Sequence, residues 1–168
     1  MKLLFDQPPR SFWLQVIDDV TRFEPPFAGD PFPCLLWDTE GHRRPQELKE
    51  LSTALIASNC RYGVCGGVDC ERWHDALDAA YLAQNIPESE AEARFVMTTW
   101  HTEKPFDDVA FFFVHNTNFD EHDFKQFLVL QLGSDWVTEQ GLCEAVREHA
   151  STPPGDDEGD EDWSGGAP

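Results

Sequence analysis

The stretch PFPCLLWDTEGHRRPQELKELSTALIASNCRYGVCGG, residues 31–67, decides the fold. Cys34-Leu35-Leu36-Trp37 is a short unbroken apolar run that predicts a buried strand. From about Pro45, Leu48, Leu51, Leu55 and Ile56 recur on one helical face, and Pro45 suits the first helical position. Asn59 is the expected stop. Arg61 to Cys65 then predicts a second strand, with Gly66-Gly67 as its turn. A strand, a helix and a strand in this length form the unit from which parallel sheets are built.

Working outward, the alternation continues without a fixed repeat. Asp69 is the expected N-cap of a helix that buries Trp73, Leu77, Ala80 and Tyr81, and Asn85-Ile86-Pro87 breaks it. Arg94 to Trp100 predicts a strand from Phe95, Val96 and the Thr98-Thr99 pair. Pro105 opens a helix with Phe106, Val109, Ala110 and Phe113 on one face, although Phe111-Phe112-Phe113 would also suit a strand. Phe127-Leu128-Val129-Leu130 predicts a fourth buried strand, Gly133-Ser134-Asp135 a turn, and Trp136 to His149 a last helix.

Upstream, Ser11 to Phe23 sets Trp13, Val16, Ile17, Val20 and Phe23 at helical spacing behind a candidate Ser11 N-cap, which predicts an extra N-terminal helix. Four prolines and Gly29 make Glu24 to Pro33 a connecting loop. Residues 151–168 carry six acids, no base and repeated Gly and Pro, the composition of a disordered acidic tail. The expected fold is therefore α/β: one small three-layer α/β/α domain over residues 1–150, with about four mostly parallel strands.

The charge constrains function more than any motif does. With 32 acidic and 12 basic residues the formal net charge is -20, so the field repels phosphate backbones and anionic membranes. Without the six tail acids, 26 acidic and 12 basic residues leave -14, so the folded part is itself acidic. No run of 18 apolar residues exists, and the opening Met1-Lys2-Leu3-Leu4-Phe5-Asp6 stops too early for a secretory apolar region, so a cytoplasmic location is expected. Five cysteines are an odd number, which fits reduced thiols rather than a disulfide framework.

In a parallel sheet, ligands bind beyond the carboxyl ends of the strands. The predicted strands deliver Asp38, Glu40 and His42, then Gly66, Gly67, Asp69 and Cys70, then His101 and Glu103, then Ser134 and Asp135. Asp38, Asp69 and His101 are the candidate residues for metal-assisted hydrolysis. The plain alternative is that such loops are polar anyway and that Asp69, Ser134 and Asp135 cap helices. No H-E-x-x-H, G-x-S-x-G or glycine-rich phosphate loop is present. Cys60-x4-Cys65-x4-Cys70-x3-His74 has ligand types that suit zinc, but its first three members lack the usual close pairs; buried, incidental cysteines are the simpler reading, and no cofactor is expected. Cys70, in the first turn of a helix, has a further claim as a thiolate, opposed by Asp69 and Glu71.

Phe119, Asp120, Glu121, His122 and Asp123, with Asp156, Asp157 and Glu158 of the tail, are the candidate contacts for a basic partner. The leading expectation is a non-catalytic module that masks a basic protein, such as a toxin or nuclease, as an immunity protein or antitoxin does. A DNA mimic, a hydrolase using the strand-end residues, and an accessory domain with exposed aromatics at its interface are the alternatives.

Overall fold

The computed structural model describes residues 1–119 and 122–152. Its sheet has six strands: β1 (Lys2–Gln7), β2 (Arg10–Ile17), β3 (Phe32–Asp38), β4 (Cys60–Gly67), β5 (Met97–Trp100) and β6 (Gln126–Leu132). Four helices accompany it: α1 (Pro45–Ala57), α2 (Cys70–Leu82), α3 (Phe106–His115) and α4 (Trp136–Ser151). The strand order is β1-β2-β6-β3-β4-β5, parallel throughout except for β1, which runs antiparallel to β2.

Two strands come from the segment before residue 18, and they correct the expected count of four. The predicted N-terminal helix from Ser11 to Phe23 is instead β2 and a short 3-10 turn, Val20–Arg22. Phe12 and Leu14 enter the core on one face and Ile17 enters it on the other, a period of two that local helical spacing concealed. Ser11 caps nothing: its N–H donates to the Lys125 carbonyl at 2.8 Å and starts the β2–β6 ladder. Pairing on both edges, by β1 and β6, decides the conformation over intrinsic propensity.

The two faces of the sheet carry separate cores. Leu36, Leu128 and Leu130 pack beneath Leu51 and Leu55 of α1 and Trp73 and Leu77 of α2. Leu35, Val64 and Val129 pack against Val109 and Phe113 of α3 and Leu142 and Val146 of α4. Burying each such side chain contributes about 1.5–3 kcal/mol, and every residue of β3 is buried, as a central parallel strand requires. Among the described residues, no helix is long and apolar enough to cross a membrane.

This topology fixes the place of a site. β3 feeds α1 on one face, whereas its neighbour β6 feeds α4 on the other, so the chain parts between their carboxyl ends.

Candidate functional site

A pocket of about 700 Å³ opens at the carboxyl ends of β3, β4, β5 and β6. Asp38, Asp69, Cys70, His101, Glu103 and Asp135 from the predicted rim all line it, together with Trp37, Arg72, Lys104 and Thr138. Glu40, His42 and Ser134 do not. The floor of the crevice is closed by Thr39, whose N–H and hydroxyl donate to the Leu132 carbonyl at 3.0 and 2.8 Å.

Asp38 is fully buried. Its Oδ1 accepts from the N–H groups of Glu40 (3.1 Å) and Gly41 (3.0 Å), and its Oδ2 accepts from the Trp73 indole N–H at 2.9 Å. Arg43 Nε lies 3.6 Å from the same Oδ2. One carboxylate thus fixes the β3–α1 turn and docks α2 on the sheet. Gly67, at φ +77°, makes this approach possible, because a Cβ there would run into the Asp38 carbonyl.

Asp69 occupies the N-cap position of α2 in the left-handed region (φ 58°), yet makes no side-chain cap bond to its own helix. The expected capping role is therefore replaced by a bond between loops. Asp69 Oδ2 accepts from the His42 N–H at 2.7 Å and from Arg72 at 2.8 Å. The His42 amide foremost, and then the Arg72 guanidinium, hold this carboxyl below the ordinary range. Asp135 does cap its helix, accepting from the Val137 N–H at 3.1 Å and the Thr138 hydroxyl at 2.7 Å.

His101 extends the β4–β5 ladder by donating its N–H to the Cys65 carbonyl at 3.0 Å, and its ring packs 4.9 Å from Phe112. Burial, with Lys104 adding, pushes its pKa down and favours the neutral imidazole. Cys70 Sγ sits 3.7 Å from the Thr102 hydroxyl. The cysteines are all buried and unbridged. Cys60 Sγ is turned to the Tyr62 carbonyl at 3.4 Å, and His74 is engaged by Asp75 at 3.1 Å and by the Trp100 ring at 4.4 Å. Among the described residues, no three His, Cys, Asp or Glu side chains gather in a metal-holding arrangement, so Cys60, Cys65, Cys70 and His74 are not brought into one ligand set.

The loop before β6 lies at the opposite end of the sheet. Its two Phe residues are anchors: Phe124 is buried, and the Phe119 ring meets Tyr62 (5.8 Å), Phe95 (6.1 Å) and Phe124 (6.2 Å). His122 stacks on Phe124 at 5.5 Å, and the exposed Asp123 pairs with Lys125. Asp120, Glu121, Asp156, Asp157 and Glu158 lie outside the described residues.

Sequence reasoning missed the apolar rim of the pocket end. Trp136 is 66 % exposed, Val137 59 % and Trp100 48 %, and Val68 and Phe106 are also exposed. All five stand at or just past the end of a strand or in the first turn of a helix, hence at the carboxyl end of the sheet. Trp100 and Trp136 were legible as strand end and helix start, but helical or strand periodicity does not tell an exposed terminal aromatic from a buried one. Glu40, Asp69, Glu71, Glu103, Asp107, Asp108, Asp135 and Glu139 share this end with Arg43, Arg44, Arg72 and Lys104.

Residues 13–148, most of the chain, match the family described as a domain of unknown function, DUF7684, and the chain belongs to that family. No curated protein matches it.

Proposed function

We propose that this chain is a non-catalytic acidic binding module that masks a basic protein, a cationic toxin or nuclease being the kind of target its charge suits. The observation that supports it is the exposure of Trp100, Phe106, Trp136 and Val137 at one end of the sheet, three of them next in the chain to His101, Asp135 and Thr138, which line the pocket. Monomeric proteins rarely leave large aromatics exposed in one region without a partner, and aromatic anchors within a charged rim are the usual anatomy of a binding surface. The net charge of -20 accelerates encounter with a cationic partner, and the steering weakens with salt.

The hydrolase reading keeps one observation in its favour: Asp38, Asp69 and His101 line a single pocket. Against it, both carboxylates already serve as acceptors within the fold, Asp38 for the Glu40 and Gly41 amides and the Trp73 indole, Asp69 for the His42 amide and Arg72.

The test is capture from the native cell on the full chain and on a Trp100→Ala/Trp136→Ala variant, at low and moderate salt, with the retained proteins identified by mass spectrometry. The reading expects one basic protein held stoichiometrically by the parent, released by salt and lost from the variant. Retention that ignores both salt and the two tryptophans would overturn it.

A further inference from the structure

The sheet ends on β5 without the protection that its opposite edge carries. β1 holds Lys2 and Asp6 and is broken by a bulge between Leu3 and Phe5. β5 reads Met97-Thr98-Thr99-Trp100, with no charge, no proline and no register shift against β4. Bulges, charges and prolines are the usual means by which an edge strand is kept from pairing further. None of the four residues of β5 is buried, whereas β3 is buried throughout.

The direction of each backbone group follows from the ladder to β4. The His101 N–H donates to the Cys65 carbonyl at 3.0 Å, so the odd-numbered residues face β4. Thr98 and Trp100 therefore turn N–H and C=O outward, and neither has a partner among the described residues. The segments that enter and leave the strand, residues 83–96 and 101–115, are described, and neither pairs with this edge.

The side chains beside the edge are aromatic and acidic. The exposed Trp100 ring lies 4.4 Å from His74 of α2, and the Thr98 hydroxyl donates to Asp78 of α2 at 2.6 Å. Glu71 stands on the same face of α2 one turn before His74; Glu88, Glu90 and Glu92 precede the strand and Glu103 follows it. The nearby cations are Lys104 and Arg94, the latter held by Glu90 at 3.5 Å and Gln84 at 2.6 Å.

We infer that this edge accepts an extended basic segment of a partner polypeptide, which adds to the sheet beside β5, bonds the Thr98 and Trp100 backbones and sets Lys or Arg against Asp78 and the Trp100 ring. Strand addition is an established mode of peptide recognition in which the main chain supplies affinity and flanking groups supply selectivity. A second copy of this chain fits the edge poorly, because each copy would bring the same acids to the seam. The identity of the occupant as a basic protein rests on the proposed function; the open ladder does not.

The probe is the acetylated, amidated peptide Lys-Thr-Val-Thr-Val-Thr-Lys, with a version N-methylated at alternate amides as control, added to the full chain. Saturable slowing of hydrogen exchange by about tenfold or more is expected at the Thr98 and Trp100 amides, with little change at Met97 and Thr99, and no slowing with the control peptide. Thr98→Pro removes one outward N–H from an edge position that tolerates proline, and it should weaken peptide binding about tenfold while the protein stays folded. Asp78→Asn keeps an acceptor for the Thr98 hydroxyl and should weaken binding about threefold, with a shallower dependence on salt. Unchanged exchange at both amides under about millimolar peptide overturns the inference, as does equal slowing at all four residues. Slow exchange at Thr98 and Trp100 without peptide also overturns it, since the chain itself or a second copy would then fill the edge. If capture of a basic protein still depends on Trp100 and Trp136 in any of these events, the binding-module reading survives; pairing at the edge without any captured basic protein is the reverse case.

Discussion

The Trp73 indole N–H donates to Asp38 Oδ2 at 2.9 Å, joining the face that α2 lays on the sheet to the carboxyl end of one of its two central strands. Both residues are fully buried, so neither group has water to fall back on. Trp73→Phe should cost about 1–2 kcal/mol, and Asp38→Ala about 3 kcal/mol because it also orphans two loop amides. A double-mutant cycle by urea denaturation should return a coupling of about 1 kcal/mol or more; additive losses would mean that the bond contributes nothing of its own.

Two histidines set the response to mild acid. Burial holds His101 and His115 below the ordinary imidazole value of 6.5, with Lys104 adding at the first and Arg10 and His149 at the second. The unfolded chain therefore takes up these protons first as the pH falls. Stability is complete above about pH 6.5 and declines from there toward the lower folded values. His101→Gln and His115→Gln should each flatten this slope in denaturation curves between pH 7 and 5; an unchanged slope in both would contradict the account.

Thiol chemistry should follow burial. Burial pushes Cys60 up to about 12 and raises Cys34, Cys65 and Cys143 as well. Cys70 lines the pocket, so it should be the first thiol modified by iodoacetamide at neutral pH, with the other four reacting only on unfolding. Peptide mapping after timed labelling reads this directly, and early labelling of Cys60 would refute it.

Removing the exposed tryptophans should leave the fold alone. Trp136→Ala is a surface change at a helix start and is expected within about 0.5 kcal/mol of the parent. A larger loss in thermal or chemical denaturation would mean that this side chain is held by the protein itself.

The central strand–helix–strand unit was legible because β3 holds the unbroken apolar run Cys34–Trp37, α1 has a single apolar face, and Gly66-Gly67 ends β4 with a turn signal. The N-terminal strand was not. Trp13, Val16, Ile17 and Val20 satisfy helical spacing, while Phe12, Leu14 and Ile17 satisfy the two faces of a strand, and only the neighbours β1 and β6 choose between them. At the site, topology predicted that Asp38, Asp69 and His101 would meet at one pocket. What it could not predict was that the Trp73 indole and the His42 amide occupy the two carboxylates, because those bonds join residues 35 and 27 positions apart. The Phe residues around the acidic loop were equally ambiguous, since an apolar side chain beside acids suits an anchor as well as a contact.

The most direct measurement is photo-crosslinking in the native cell from a benzophenone amino acid placed singly at positions 100 and 136, with Leu82, exposed near the opposite end of the sheet, as the control. Positions 100 and 136 should attach to the same basic protein, and position 82 should not. Attachment from position 82 alone, or to no common protein from the two tryptophan positions, would contradict the binding-module reading.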